Sequence, residues 1–189
     1  MKIGLYFGSF NPIHVGHLII GSHTINTTSI DQVWFVVSPQ NPHKSSLTLL
    51  NENHRLSLIK LATENESKLK ASNLEFKLPR PSYTIDTLTY IKEKYPAHEF
   101  TIIMGSDSFY NLPKWKNFEL LIKNAALYIY ERQNFKITNS IGAKIHILKA
   151  PLLEISSTCI RELIKKGKSI RYLVPDVVKE EIDKNNYYR

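Results

Sequence analysis

Cysteine is nearly absent from this chain of 189 residues, which contains only Cys159. One cysteine excludes an intrachain disulfide and a zinc site built from several thiolates, and it is typical of a protein from the reducing cytoplasm. The chain also lacks an apolar stretch of about 20 residues, so we expect no membrane-spanning helix. Gly4 and Gly8 interrupt the first apolar run too early for a secretory signal. We therefore predict a cytoplasmic protein without a membrane partner.

Acidic residues are also in the minority. Lysine and arginine number 25 against 17 aspartates and glutamates, which gives a formal net charge of +8. Such a surface attracts anions, whether nucleic acids, an anionic membrane or small phosphorylated substrates. The 42% of hydrophobic residues fits a folded globular protein, and no repeat or linker divides the chain. We predict one domain over residues 1–189, with a C-terminal helical portion from about residue 156.

Segments typical of strands and helices alternate along nearly the whole chain. The predicted strands are 3–7, 33–37, 74–78, 100–104, 126–130 and 145–148, and the predicted helices are 15–27, 51–62, 84–95, 117–123, 160–166 and 177–183. This alternation predicts an α/β fold, a doubly wound and mainly parallel sheet with helices on both faces. Ligands of such sheets bind at the carboxyl ends of the strands. The functional residues should therefore follow Phe7, Val37, Leu78 and Met104.

The first candidate motif is the segment GSFNPIHVGH, residues 8–17, where the first strand meets the first helix. Gly8 permits close approach of a phosphate to the backbone, and the helix presents its positive N-terminal end. His14 and His17 are three residues apart and share one helix face, so both rings could donate hydrogen bonds to phosphate oxygens. Two incidental histidines near a helix start are the simpler alternative. A zinc site is disfavoured because no third ligand lies nearby.

The second candidate motif is ISSTCIR, residues 155–161, at the start of a predicted helix. Ser156 and Ser157 are good N-cap residues, and capping alone would explain them. The alternative is a second anion site in which the hydroxyls, the helix N-terminus and Arg161 hold phosphates. Together with the first motif, this segment would complete the pair of anion sites that a triphosphate requires.

These two motifs together resemble the signatures of the bacterial nicotinate mononucleotide adenylyltransferases, which belong to the H-x-G-H nucleotidyltransferase superfamily. The resemblance covers essentially the whole chain, and it implies a single Rossmann-like nucleotidyltransferase domain. It also implies that ATP and nicotinate mononucleotide react directly to give deamido-NAD and pyrophosphate, without a covalent enzyme intermediate. One departure is Asn11, where many relatives carry aspartate; Asn keeps the hydrogen bonding of the turn without the charge.

The resemblance assigns catalytic roles to His14, His17 and Arg161. It implies that ATP is also bound by the remaining members of both motifs and by a turn after the fourth predicted strand: Gly8, Ser9, Phe10, Gly105, Asp107, Ser156 and Ser157. Arg132 matches a family arginine near the nucleotide. Mg²⁺ is implied as a cofactor that is held mainly by the ATP phosphates, and no metal ligand in the protein is expected.

The resemblance places the acceptor substrate in the middle of the chain. Main-chain N–H groups near Tyr83 and Thr84, at a helix start, would hold the nicotinate carboxylate, which a helix N-terminus stabilises. Trp115 would stack on the pyridine ring, and Lys44 would reach the phosphates. Simple capping at Tyr83 and Thr84, a core role for Trp115 and a solvated position for Lys44 are the alternatives.

Other functions remain open at this point. Another H-x-G-H adenylyltransferase could take pantetheine phosphate or nicotinamide mononucleotide, although the pantetheine enzymes are usually shorter and have threonine at the position of His14. The basic charge also suits a non-catalytic nucleic-acid-binding module, but no known aromatic or recognition-helix pattern is present. We expect no nucleic-acid partner, and the sequence leaves open whether the chain forms a homo-oligomer.

Overall fold

A parallel sheet of six strands lies at the centre of the described chain. The computed structural model describes residues 1–40, 48–133, 135–138, 141–151 and 153–189. The strands are β1 (Lys2–Gly8), β2 (Gln32–Val37), β3 (Leu69–Ser72), β4 (Glu99–Gly105), β5 (Ala126–Tyr130) and β6 (Ile145–Leu148). Their order is β3-β2-β1-β4-β5-β6, and all neighbours pair in parallel. This order confirms the predicted doubly wound, Rossmann-like fold.

Helices form most of the connections, as parallel neighbours require. They are α1 (Val15–Thr27), α2 (Glu52–Ala62), α3 (Thr84–Lys94), α4 (Ser106–Tyr110), α5 (Phe118–Asn124), α6 (Ser157–Lys165) and α7 (Asp176–Lys184). The predicted cap of α2 is confirmed, because the side chain of Asn51 accepts a hydrogen bond from the N–H of Asn53 at 2.9 Å. The short helix α4 was not predicted. Within the described ranges, no helix has both the length and the apolar character needed to cross a bilayer.

The predicted strand at 74–78 is wrong. Leu74–Lys77 forms a 3₁₀ helix, and the strand of this region is β3, which pairs with β2. The alternation of apolar and charged residues in Leu-Glu-Phe-Lys-Leu imitates a half-buried strand. The structure departs from that pattern because the charged Glu75 is buried, with 1% of its surface exposed, while Phe76 is only half-buried. Leu78 is therefore not the end of a strand.

Two hydrophobic clusters cover the two faces of the sheet. Successive residues of a strand point to opposite faces, so Ile3 and Leu5 of β1 belong to one cluster and Tyr6 to the other. Helices α3 and α5 pack into the first cluster, and α2, α6 and α7 pack into the second. The C-terminal helices are thus part of the layer that covers one face.

The chain connections separate at the centre of the sheet. After β1 the chain continues to β2 on one side, and after β4 it continues to β5 on the other. A crevice forms where connections diverge in this way, at the carboxyl ends of the central strands. Gly8 ends β1 and Gly105 ends β4, so both glycines lie at the predicted ligand-binding edge.

Candidate active site

The loop between β1 and α1 is anchored in the core by Phe10. The ring of Phe10 is 2% exposed and packs edge-on against Tyr6, His17 and Phe35. A Cβ at Gly8 would lie 2.8 Å from Phe10 Cζ, so only glycine lets this ring fold back under the strand end. Phe10 adopts a φ of 45°, which is unusual for a residue other than glycine. The loop therefore has a specific shape that Gly8 and Phe10 determine together.

The two histidines of the first motif lie face to face. Their ring centroids are 3.7 Å apart and their planes differ by 27°. The carbonyl of His14 accepts hydrogen bonds from the N–H groups of His17 (3.0 Å) and Leu18 (3.3 Å), so His14 begins α1. Burial and the positive charge of Arg132 lower the pKa of His14 to about 4. The imidazole of His14 is therefore neutral at physiological pH and has one N–H to donate.

The second motif is fastened to the first. Arg161 Nη1 donates a hydrogen bond to the carbonyl of Asn11 at 2.8 Å, and the hydroxyl of Ser157 donates to the carbonyl of Pro12 at 2.9 Å. Ser156 caps α6, because its hydroxyl accepts a hydrogen bond from the N–H of Cys159 at 3.1 Å. The second motif thus caps α6 and also contacts the first motif.

Two adjoining cavities lie at this edge of the sheet. The first cavity, of about 480 Å³, is lined by nine of the ten residues predicted for ATP, which are Gly8, Ser9, Phe10, His14, His17, Asp107, Ser156, Ser157 and Arg161. The second cavity, of about 350 Å³, shares His14, His17, Asp107 and Ser156 with it. The tenth residue, Gly105, lies beside the first cavity, and a Cβ there would collide with Asp107 Oδ1. The structure therefore brings the predicted nucleotide residues together.

Two tyrosines and an arginine that line the first cavity are joined by hydrogen bonds. The hydroxyl of Tyr6 donates a hydrogen bond to that of Tyr130 (3.1 Å), which also accepts from Arg132 Nη2 (3.0 Å). Arg132 Nε lies 3.4 Å from Asp107 Oδ1. Burial and the neighbouring Tyr130 raise the pKa of Tyr6, so its hydroxyl stays protonated. Sequence reasoning missed both tyrosines, because tyrosine within an apolar strand resembles a core residue.

Sequence reasoning also missed Arg55, whose side chain is fully buried. Its guanidinium donates hydrogen bonds to the carbonyls of Ser9 (2.6 Å), Ser38 (2.9 Å), Pro39 (3.1 Å) and Leu50 (2.7 Å). Arg55 thus joins the first motif to the loop after β2 and to the segment before α2. Its position four residues before Ile59 was the available signal, since this spacing places both on the buried face of α2.

The residues predicted for the acceptor lie at the start of α3 and after α4. Tyr83 is the N-cap of α3, and both Tyr83 and Trp115 are half-buried against the same hydrophobic cluster. Lys116 joins the two segments: its Nζ lies 4.7 Å from the centre of the Tyr83 ring and 2.8 Å from Asp86 Oδ2. Tyr83, Thr84 and Trp115 do not line either of the two cavities described above. Lys44 falls in 41–47, outside the described residues.

The structure also tests whether the protein itself could hold a metal ion. Across the described ranges, no group of three or more His, Cys, Asp or Glu side chains is arranged to bind one. Asp107 is the carboxylate that lines both cavities, and it is paired with Arg132. These residues fit a metal that arrives bound to phosphate oxygens better than one held by the protein alone.

The sequence is similar to curated proteins over its full length. A probable nicotinate-nucleotide adenylyltransferase of Flavobacterium johnsoniae is 52% identical over 192 residues, with 100% of both chains covered. A protein of the same name from Bacteroides fragilis is 40% identical, with 96% of this chain and 90% of the relative covered.

The fold is similar to that of solved nicotinic acid mononucleotide adenylyltransferase structures. Plasmodium falciparum nicotinic acid mononucleotide adenylyltransferase complexed with NaAD has a TM-score of 0.83 at 27% identity, with 99% of this chain and 97% of that chain covered. The same enzyme complexed with APC has a TM-score of 0.82 at 26% identity. Residues 5–163 also match the cytidylyltransferase-like family. The chain therefore belongs to the cytidylyltransferase-like family and, within it, to the nicotinate-nucleotide adenylyltransferases.

Proposed function

We propose that this protein transfers the adenylyl group of ATP to nicotinate mononucleotide, forming deamido-NAD and pyrophosphate as a step of NAD biosynthesis. The observation that carries this proposal is the first cavity, where His14 and His17 of one motif face Ser156, Ser157 and Arg161 of the other. Two N-terminal helix ends and these side chains form a site suited to several phosphates in a row. The names of the relatives support the identity of the acceptor.

The reaction requires positioning more than covalent chemistry. The acceptor phosphate oxygen forms a bond to the α-phosphorus of ATP while the bond from that phosphorus to the pyrophosphate oxygen breaks in line. The protein must hold two anions together against their repulsion and stabilise the charge that moves to the leaving group. The first cavity brings uncharged and positively charged donors to this place.

Each motif would contribute to a different part of the triphosphate. His14 is neutral, and its Nδ1 is buried against Gly16, which leaves Nε2 as the nitrogen that can face a ligand. His14 and His17 would contact the α- and β-phosphates. Ser156, Ser157 and Arg161 would hold the β- and γ-phosphates that leave as pyrophosphate.

The remaining contacts to the nucleotide would come from residues at the carboxyl ends of β1 and β4. Gly8 and Ser9 would offer backbone groups to the phosphates, and Phe10 would contribute only through its backbone, because its ring is buried in the core. Gly105 and Asp107, after β4, would bind the ribose, with Asp107 accepting hydrogen bonds from its hydroxyls. Mg²⁺ would be held mainly by the ATP phosphates and would neutralise part of their charge.

The acceptor would lie between α3 and the segment after α4. Asp86 and Thr87 donate their N–H groups to the carbonyl of Tyr83, and Tyr83 provides no side-chain cap. The earlier N–H groups at this helix start are thus available for the nicotinate carboxylate. Trp115 would stack on the pyridine ring, and the nearby Lys116 favours an acidic acceptor. The contact proposed for Lys44 rests on the resemblance alone.

Product analysis tests the proposal directly. The protein is incubated with ATP, Mg²⁺ and one of nicotinate mononucleotide, nicotinamide mononucleotide or pantetheine phosphate, and pyrophosphate and the adenylylated product are measured. We expect deamido-NAD with the first acceptor and slower turnover with the others. Preference for pantetheine phosphate would assign the protein to the neighbouring enzyme class. Salt-sensitive oligonucleotide binding without ATP turnover would favour the nucleic-acid module.

Three further points stay predictions. A single domain over residues 1–189 is supported by the hydrophobic cluster that α6 and α7 share with the sheet. The cytoplasmic location is supported by the single, exposed Cys159. The assembly state is open, and a sedimentation experiment would determine it.

A further inference from the structure

A carboxylate is buried behind the start of α3, although the proposed reaction does not use it. Glu75 belongs to the 3₁₀ helix after β3, and 1% of its surface is exposed. Among the described residues Glu75 has no ion-pair partner. A buried carboxylate without a cation is costly unless hydrogen-bond donors surround it, so its surroundings call for an explanation.

Hydroxyl groups from two segments surround this carboxylate. Ser82 donates a hydrogen bond to Glu75 Oε2 at 2.6 Å, and Thr87 donates to Oε1 at 2.8 Å. The hydroxyl of Ser38, in the loop after β2, also hydrogen-bonds to the carboxylate. Burial raises the pKa of Glu75, whereas these hydrogen bonds oppose that change. The ionised form can accept hydrogen bonds from all three hydroxyls without donating one itself.

The positions of Ser82 and Thr87 connect this network to the proposed acceptor site. Ser82 directly precedes the N-cap residue Tyr83, and Thr87 lies in the first turn of α3. The hydroxyl of Thr87 also lies 3.3 Å from the carbonyl of Tyr83. Glu75 thus holds the residues on both sides of the helix start.

Helix α3 begins without a side-chain cap, because its N-cap residue is Tyr83 and tyrosine is not a capping residue. Ser82, the residue before this N-cap, donates its hydroxyl hydrogen bond to Glu75. Glu75 thus holds the start of α3 through the side chains of Ser82 and Thr87, and no side chain caps the first turn.

We infer that Glu75 is a positioning residue of the acceptor site. Through Ser82 and Thr87 it fixes the first turn of α3, so that the uncapped N–H groups of that turn can bind the carboxylate of the acceptor. This inference rests on the proposed function. It differs from a purely structural role because it requires an effect on one substrate only.

Four variants test the inference in steady-state kinetics. Glu75→Gln and Thr87→Val each remove part of the network, Thr87→Ser restores the hydroxyl, and Glu64→Gln alters an exposed glutamate as a matched control. We expect the first two variants to raise the KM for nicotinate mononucleotide roughly tenfold, the effect of one lost hydrogen bond. The KM for ATP should change less than twofold. Thr87→Ser should recover most of the loss, and Glu64→Gln should resemble the wild type.

The outcomes separate this inference from the proposed function. If the wild type does not adenylylate nicotinate mononucleotide, the proposed function fails, and the assignment of Glu75 fails with it. If the wild type is active and both variants keep its KM for the acceptor, or raise both KM values equally, Glu75 is structural only. A lower acceptor KM in Glu75→Gln, with no effect of Thr87→Val, would show charge repulsion instead of positioning. If a variant does not fold, the other variant decides.

Discussion

The imidazole of His14 is stacked on that of His17, with 3.7 Å between the ring centroids. Such stacking is unfavourable for two cations, and the pKa of His14, lowered to about 4 by burial and by Arg132, keeps this ring neutral. In the proposed site, His14 would therefore act through a directed hydrogen bond more than through charge. In the proposed site, Arg161 and the helix N-termini would supply the positive potential that the phosphates require.

The first prediction concerns His17. Replacement by alanine should lower kcat by about 10²- to 10³-fold with a smaller change in KM, because the donor contributes most as charge develops in the transition state. Steady-state kinetics with ATP and nicotinate mononucleotide provide the measurement. His23→Ala is the matched control, since His23 is on the same helix α1 and lines neither of the two cavities. Near-normal turnover of His17→Ala would remove this imidazole from the chemistry.

The second prediction concerns stability in acid. The pKa of His14 is about 4 in the folded protein against an ordinary value of 6.5, so the unfolded chain binds a proton more readily. The stability that depends on a neutral His14 is therefore fully present above about pH 6.5 and is lost as the pH decreases toward 4. The contribution at stake is on the order of 3 kcal/mol.

Urea unfolding between pH 7 and pH 4 measures this loss. The variant His14→Gln cannot titrate, so its free energy of unfolding should fall less steeply over this interval than that of the wild type. The comparison removes the opposite effect of Glu75, whose raised pKa favours the folded state in acid. Equal slopes for both proteins would contradict the lowered pKa of His14.

The sequence was most informative where local signals agreed. Gly8 and the residues up to Pro12 form a turn between a strand and a helix, and the structure has α1 at 15–27 as predicted. The strand predicted at 74–78 was wrong because apolar and charged residues alternate there, as they do in a half-buried strand. The hydrogen bonds of the buried Glu75 instead depend on Ser82 and Thr87, which lie later in the chain.

Long-range contacts explain what the sequence could not predict about the site. Arg161 reaches the carbonyl of Asn11, which is 150 positions away, and Tyr6 bonds to Tyr130 across 124 positions. Neither partner has a local pattern that identifies the other. Arg55 was missed for a different reason, because a charged residue on a helix is usually exposed.

The third prediction concerns Arg55. Arg55→Met leaves two buried and two partly buried carbonyls without their donor, which should cost about 3 kcal/mol or more in the free energy of unfolding. Arg55→Lys should be intermediate, because one ammonium group cannot span all four carbonyls. Because Ser9 is among the partners, kcat/KM for ATP should fall in both variants. Denaturant unfolding at constant m-value measures the stability.

Arg80→Met is the matched control for Arg55. Arg80 forms an ion pair with Glu52 at 2.6 Å, but 47% of its side chain is exposed. Exposed ion pairs contribute little, so this variant should lose less than about 1 kcal/mol. If both methionine variants lose the same stability, the buried hydrogen bonds of Arg55 do not have the importance assigned to them.

The fourth prediction concerns Trp115. Its half-buried ring lies against the same cluster as Tyr83, and in the proposed site it stacks on the pyridine of the acceptor. Aromatic stacking on a base is worth about 1–3 kcal/mol, so Trp115→Ala should raise the KM for nicotinate mononucleotide on the order of tenfold or more. The KM for ATP should stay unchanged, and Trp115→Phe should lose less because it keeps an aromatic face. If Trp115→Ala raises the KM for both substrates equally, Trp115 belongs to the core and not to the acceptor site.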